Sequence, residues 1–341
     1  MKIRRSFFIC LAAGFVLSAA IYFGLFFLQL GVPTTRWAWL HSIIEKKLDL
    51  AAAITKPKLL IVAGSSALYG ITAEEIERQT GVPTVNFGTN AALGTAIMLH
   101  LTRKVCRPGD TVLLAFEYEA YLFGKLTGDT TDELLIAYIL GHDREYVRSL
   151  SLHEQLKLAL LTPGDRLWGG VRAVFQKPKQ DESAAAFIRS VLEGINSHGD
   201  QTNAVPERRP EHSAARSMLC YIAAYGFPPS PAGLQPIREF CVWAKANNIR
   251  VLATFPTTCH RPEYDLPAAQ QMPVQFRAFY AAMGVPVLGD ISEAMLPEEQ
   301  MFDTMYHPMR DAALERTRRL LIHLAPYLGP QPDGARQSLI K

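Results

Sequence analysis

The chain opens on a basic pentapeptide, Met1-Lys2-Ile3-Arg4-Arg5, and no charged residue follows until Arg36. Ser6 to Leu30 is strongly apolar. As a helix rising about 1.5 Å per residue, this stretch would run roughly 37 Å, enough to cross a bilayer with some tilt. A cleaved signal peptide is the competing reading, but its apolar region is usually about 7–15 residues long. Here the run continues well past Ser18-Ala19-Ala20, which imitates a cleavage site, and Cys10 lacks the small residues that precede a lipid-modified cysteine. The sequence therefore predicts an uncleaved anchor. By the positive-inside rule Lys2, Arg4 and Arg5 stay in the cytoplasm. The expected location is the cytoplasmic (inner) membrane, single-pass, with the N-terminus inside and the globular part extracytoplasmic or periplasmic.

A chain of 341 residues suits a large α/β domain with an insertion. Hydrophobic residues make up 49% and charged residues 20%, a globular balance. The net charge is only +3 and no basic block appears, so nucleic acid is not an expected partner. Cys10, Cys106, Cys220, Cys241 and Cys259 show no CxxC or Cys/His metal spacing. No metal site is expected. An oxidising compartment would permit a disulfide among the last four, and four unpaired thiols fit the sequence equally.

Thr35 to about Ala53 reads as a juxtamembrane helix, with Trp37 and Trp39 suited to the membrane interface. A βαβ pattern follows. Residues 58–63 form a short apolar run of the kind found in a buried parallel strand. A helix is expected from Ala73 to Thr80, opened by a capping box over Thr72–Glu75 and stopped at Gly81. Residues 84–87 and 111–116 give two more strands, separated by a helix over 91–104. Residues 127–176 read as helical, interrupted at Trp168-Gly169-Gly170, and 177–216 as polar and loop-rich. The alternation resumes with a helix over 231–247 ended by Asn248, a strand over 249–255, a helix over 273–282 and a last strand over 284–288. Pro308 sits at the first turn of a final helix whose buried face is Leu314, Thr317, Leu320, Leu321 and Leu324.

The predicted fold class is thus α/β, a doubly wound, mostly parallel sheet flanked by helices, with a helical insertion and an N-terminal transmembrane helix. The expected segments are 1–5 cytoplasmic, 6–30 anchor, 31–56 juxtamembrane, 57–121 first half-domain, 122–230 insertion, 231–327 second half-domain and 328–341 polar tail.

Two short motifs carry chemistry. Gly64-Ser65-Ser66 stands between the first strand and a helix. Ligand sites form beyond the carboxyl ends of parallel strands, where a serine is exposed and backbone N–H groups can bind an oxyanion. A plain helix cap explains the same serines. Asp303-Thr304-Met305-Tyr306-His307 precedes the last helix. An imidazole activates a weak serine nucleophile and a carboxylate orients the imidazole. A capping Asp and a surface His explain that segment alone.

Together these segments resemble the SGNH (GDSL-like) hydrolase superfamily. There the nucleophile closes a Gly-Asp-Ser motif after the first strand, and an Asp-x-x-His motif before the last helix supplies acid and base. Gly64-Ser65-Ser66 matches the first motif with Ser65 in place of Asp. Asp303 and His307 match the last with one extra intervening residue. The resemblance is closest to the extracytoplasmic branch that includes the D-alanyl transfer protein of teichoic acid systems and the alginate O-acetylation proteins. It covers about 58–120 and 245–325. It implies a catalytic set of Ser66, His307 and Asp303. The family's oxyanion donor after the second strand falls on Asn86-Phe87-Gly88-Thr89-Asn90-Ala91, so Gly88, Asn90 and Ala91 are candidates. A turn needing positive φ at Gly88 and a helix cap at Asn90 are the alternatives. The family's third motif ends in Asn, where this chain has Glu117-Tyr118-Glu119. A carboxylate is a poor oxyanion stabiliser, so Glu117 and Glu119 are read as substrate contacts or a solvated strand end. Ser65 is a further possible contact.

The resemblance implies an esterase or O-acyltransferase, O-acetyl transfer foremost, acting through an acyl-enzyme on a cell-envelope or exported glycan. The expected partners are that glycan or an acylated small molecule, the membrane, and a membrane-bound O-acyltransferase. The rival is a non-catalytic accessory protein of the same fold that binds glycan or such an acyltransferase. No phosphate loop or Gly-x-Gly-x-x-Gly occurs, so no nucleotide cofactor is expected and a flavodoxin-like binding module has little support. His100 reads as a helix-face residue, Cys259-His260 as a loop pair, and Asp143 to Arg148 as a charged, solvated helix face.

Overall fold

The computed structural model describes residues 2–122, 133–176, 178–179, 181–211 and 230–328, the side chains of 2–5 and 268 excepted. Cys220, the polar tail beyond Leu328, and parts of the 122–230 segment lie outside the described residues. The chain divides into two compact units, Met1–His41 with Leu126–Ala186, and Ser42–Lys125 with Phe187–Lys341.

In the first unit α1 (Lys2–Leu28) is one unbroken helix. Its Ser6–Leu28 stretch, of mean hydropathy 2.2, is long and apolar enough to cross a membrane. Beyond α2 (Ala38–Ala53) and the first strands of the second unit, the chain returns with α6 (Glu133–His142), α7 (Arg144–Ser149), α8 (Leu152–Leu161) and α9 (Gly164–Phe175). Ser151 and Glu154 form the capping box that opens α8. Two expectations change here. Arg144, Glu145 and Arg148 form the expected charged, exposed face, but Asp143 is a buried N-cap accepting from the Tyr146 amide, and Tyr146 and Val147 face the interior. Trp168-Gly169-Gly170 does not interrupt α9; Gly170 instead leaves room for the Gln29 side chain and the Arg166 guanidinium, with which a Cβ would collide.

The second unit is built on a five-stranded sheet of order β2-β1-β3-β4-β6. Its strands are β1 (Leu59–Val62), β2 (Thr84–Asn86), β3 (Thr111–Leu114), β4 (Arg250–Thr254) and β6 (Val287–Leu288), and every pairing is parallel. All residues of β1 and β3 are buried, as continuous apolar runs covered on both faces must be. The flanking helices are α3 (Ser65–Gly70), α4 (Ala73–Thr80), α5 (Gly94–Val105), α11 (Pro231–Ala246), α12 (Met272–Ala281) and α13 (Arg310–Leu324). A pair too short for any periodicity, β5 (Thr258–Cys259) with β7 (Met295–Leu296), is also present.

Gly81 ends α4 at φ 70 and Asn248 follows α11 at φ 55, as the sequence suggests. The cap of α4 differs from expectation. Thr72 makes no side-chain cap, and Glu75 pairs instead with Arg78 and Arg318. The Ala73 and Glu74 amides donate to the Asp200 carboxylate at 2.7 and 3.0 Å. The polar stretch around Asp200 is correspondingly not a free loop. A helix, α10 (Glu182–Glu193), stands in it. Residues 195–204 then dock beside β2, where the Asn86 amide donates to the His198 carbonyl at 2.8 Å. The fully buried Lys47 ammonium donates to the carbonyls of Asn86 and Gly199. This covers what would be an open sheet edge. At the far end, α13 starts after Pro308 rather than with it. It buries Thr317, Leu320, Leu321 and Leu324, while Leu314 is only half-buried.

Candidate active site

The strand order places the reversal between β1 and β3, so the crevice beyond their carboxyl ends is where a ligand is expected in an open parallel sheet. Gly64 and the first turn of α3 follow β1 there, and Glu117 and Glu119 follow β3. Gly64 is required by space. A Cβ on it would lie 2.6 Å from the Ala91 backbone and from Glu117 Oε1. The loops after β1, β2 and β3 therefore meet at this one residue.

Ser66 differs from expectation. It is 1% exposed, and its hydroxyl donates to the Ala115 carbonyl at 3.2 Å. Its amide donates to Glu117 Oε1 at 2.7 Å, and the Gly64 amide donates to Glu117 Oε2 at 3.1 Å. Glu117, itself 2% exposed, is no solvated strand end. Its carboxylate occupies the place an oxyanion would take on the Ser66 N–H. Ser65 is half-buried, and its hydroxyl has no hydrogen bond among the described residues. It stands four residues before Tyr69, on the same face of α3.

His307 and Asp303 are together. Nδ1 and Asp303 Oδ1 lie 2.7 Å apart. With Nδ1–H donating to the carboxylate, Nε2 carries the lone pair a general base needs. The imidazole stacks on the Tyr69 ring, centroids 4.1 Å apart and planes 11° from parallel. Burial, reinforced by the Asp303 charge, pushes the Tyr69 hydroxyl up to about 12, against a hydrogen bond with Gln201. The dyad thus leans on α3 one turn from its serines.

Among the oxyanion candidates, the Gly88 amide donates to Asn86 Oδ1 at 3.0 Å. Gly88 does not have positive φ. It is small because a Cβ would meet the Leu68 amide at 2.5 Å. The Asn90 side-chain oxygen Oδ1 caps the next turn, accepting from Ala92 N at 2.9 Å. The Asn90 side-chain NH2 and the Ala91 N–H have no hydrogen bond among the described residues, and they are the donors left for an oxyanion.

Sequence reasoning missed Tyr69, Tyr306, Asn86 and Gln201. Asn86 is fully buried and ties β2 to α3 through the Ala67 and Ile71 carbonyls, each at 2.8 Å. Helical spacing from Ser65 could have singled out Tyr69. Tyr306 donates to Glu119 Oε2 at 2.8 Å. Burial, with the Glu117 charge, raises the Glu119 carboxyl to about 6 against that hydrogen bond. Because its folded value exceeds the ordinary 4.5, the folded state holds this proton longer than the unfolded chain. Its contribution to stability is full below about 4.5 and declines as pH rises toward 6. Relative to Glu119→Gln, the native chain should lose about 1–2 kcal/mol over that window. Melting curves of both proteins at each pH measure it, and parallel profiles would refute it.

A cleft of about 1100 Å³ opens elsewhere in this unit, lined by residues of 259–265 and 290–299, and includes neither Ser66, Asp303 nor His307. Among the described residues no group of His, Cys, Asp or Glu is placed to hold a metal ion. Among the described residues Cys10, Cys106 and Cys241 are in no disulfide, and the Cys259 thiol, buried in β5, donates to the His260 carbonyl at 3.5 Å. No protein-family model matches this chain, and no curated protein matches its sequence.

Proposed function

We propose that the protein is a membrane-anchored, SGNH-like serine esterase or O-acyltransferase, with α1 spanning the membrane, its basic end inside and the sheet domain outside. The observation that carries this reading is the His307–Asp303 pair stacked on Tyr69, in the helix whose first turn bears Ser65 and Ser66. In the reaction Ser66 Oγ attacks an acyl carbonyl while His307 Nε2 takes its proton; the ester C–O bond then breaks, His307 hands the proton to the departing alcohol, and the acyl-enzyme is left. The acyl-enzyme then passes its acyl group to water or to a sugar hydroxyl. The Asn90 amide and Ala91 N–H receive the oxyanion. For the Ser66 N–H to join them, Glu117 must first release it. The resting arrangement is therefore closed, and substrate binding has to displace a carboxylate. The anchor motivates an envelope or exported glycan as acceptor, by analogy with the resembled family.

A specific observation favours a second reading. The grip of Glu117 on the Gly64 and Ser66 amides suits a non-catalytic accessory protein that binds glycan or a membrane acyltransferase. A fluorophosphonate probe on the full chain separates the two. The enzyme reading expects labelling that Ser66→Ala abolishes and His307→Ala slows about 10²-fold or more. It also expects Glu117→Gln to speed labelling, because a neutral amide grips the two N–H groups less tightly. Labelling that persists in Ser66→Ala but vanishes in Ser65→Ala would move the nucleophile to the more open hydroxyl. No labelling in either the native chain or Glu117→Gln would leave the accessory reading.

A further inference from the structure

We propose that the end of α8 and its turn into α9 form a tip that dips into the bilayer beside α1, giving the first unit a second membrane contact. The inference rests on the reading of α1 as the membrane span. The Tyr22 hydroxyl donates to the Ala159 carbonyl near the end of α8. Tyr22 lies six residues before Leu28, about 9 Å down the helix, so it sits within the apolar stretch rather than above it. Seven residues after Ala159, Arg166 reaches the Gln29 side chain and the Val32 carbonyl at the C-terminal end of α1. Moving from Ala159 to Arg166 therefore climbs α1 from inside its apolar span to its upper end. Phe26 and Gln29 are fully buried, whereas Phe7 and Phe15, lower on α1, are 63% and 75% exposed.

The apolar face of α8 suits such immersion, with the exposed His153 at its margin and the half-buried Lys157 and Glu154 further round the helix. Leu152, Leu156 and Leu160 are 71%, 40% and 72% exposed. Spaced by four, they form one stripe, and helical geometry sets that stripe within about 100° of Ala159. The exposed leucines thus continue the apolar surface of α1 rather than standing alone. The turn Leu160-Leu161-Thr162-Pro163-Gly164 bears no charge. The first charge after it, Asp165, is paired with Arg36, beyond the apolar span. Trp168, 59% exposed one turn above the tip, suits the headgroup boundary, and exposed Arg172 can extend its head toward phosphates. In water such a leucine stripe is an aggregation liability, whereas acyl chains satisfy it without any protein partner.

The test uses the full chain in phosphatidylcholine/phosphatidylglycerol vesicles, carrying Leu160→Trp. The emission added over the native chain should be quenched severalfold by acyl-chain bromines and scarcely by aqueous iodide. Native Trp168, isolated by subtracting Trp168→Phe, should be quenched by shallow bromines more than by deep ones. Iodide quenching of both positions without bromolipid quenching overturns the proposal, including the case where α8 serves a membrane protein absent from the vesicles. Vesicle flotation distinguishes the failures. A chain that does not float with the vesicles refutes the anchor itself, whereas one that floats with an iodide-exposed Leu160→Trp refutes only the second membrane contact.

Discussion

Asp110→Ala is expected to cost about 3–5 kcal/mol, the usual loss when one partner of a buried ion pair is removed. The Lys58 and Asp110 side chains are 0% and 1% exposed, and Nζ lies 2.8 Å from Oδ2. The carboxylate also accepts from the Lys58 amide at 3.0 Å and the Arg107 amide at 2.8 Å. It thus ties the start of β1 to the turn before β3, next to the Leu59–Thr111 register that begins the central pairing. Alanine leaves a buried ammonium, a buried N–H and a part-buried N–H without their acceptor, and the buried deficits are the costly ones in a low-dielectric interior. At about 2–4 °C per kcal/mol for a domain of this size, the melting temperature in detergent should fall by roughly 6–20 °C. Lys58→Met combined with Asp110→Asn should recover most of that fall, since it removes the orphaned charge and keeps an acceptor for the amides. A drop below about 2 °C in the single variant would show that water reaches the pair, which its burial denies.

The same pair illustrates what the sequence conveys and what it withholds. Leu59–Val62 and Thr111–Leu114 are legible because a strand covered on both faces leaves an unbroken apolar run, and turn residues bound both. Gly81 and Asn248 are legible because left-handed backbone favours those residue types. Asp303 and His307 are near neighbours, so their pairing needs only a local turn. The partners of Thr72 and Glu117 are not legible. Thr72–Glu75 has the form of a capping box, yet Asp200 arrives from more than a hundred positions away to take the two amides. Glu117 follows a strand and looks solvated, yet the Gly64 and Ser66 amides converge on it only because β1 and β3 are neighbours. That long-range convergence buries Ser66, whose place after a strand had suggested an exposed hydroxyl. Local pattern specified the sheet. Which hydroxyl faces the imidazole depends on contacts between segments that no local pattern encodes.

Gly64→Ala should be strongly damaging, and for a different reason from Gly81→Ala. At Gly81, φ is +70 and nothing lies within 4 Å of an added Cβ, so the cost is the left-handed backbone alone, about 1–2 kcal/mol. Gly64 has φ −77, which any residue adopts. Its difficulty is space, with Ala91 N and Cα and Glu117 Oε1 each 2.6 Å from the new carbon. A flexible side chain could swing aside, but backbone cannot, and the carboxylate is held by two amides. Relief requires the loop after β1 to separate from the turn after β2, an overpacking cost of about 3 kcal/mol or more. The melting temperature should fall by roughly 6–12 °C or more, against about 2–8 °C for Gly81→Ala. The separation also parts Ser66 from Asn90 and Ala91, the donors proposed for the oxyanion. Any Ser66-dependent fluorophosphonate labelling should therefore fall further in Gly64→Ala than in Gly81→Ala, even at temperatures where both variants are folded. Equal melting temperatures for the two variants would mean that the loops after β1 and β2 do not meet at Gly64, and the oxyanion assignment would fall with that contact.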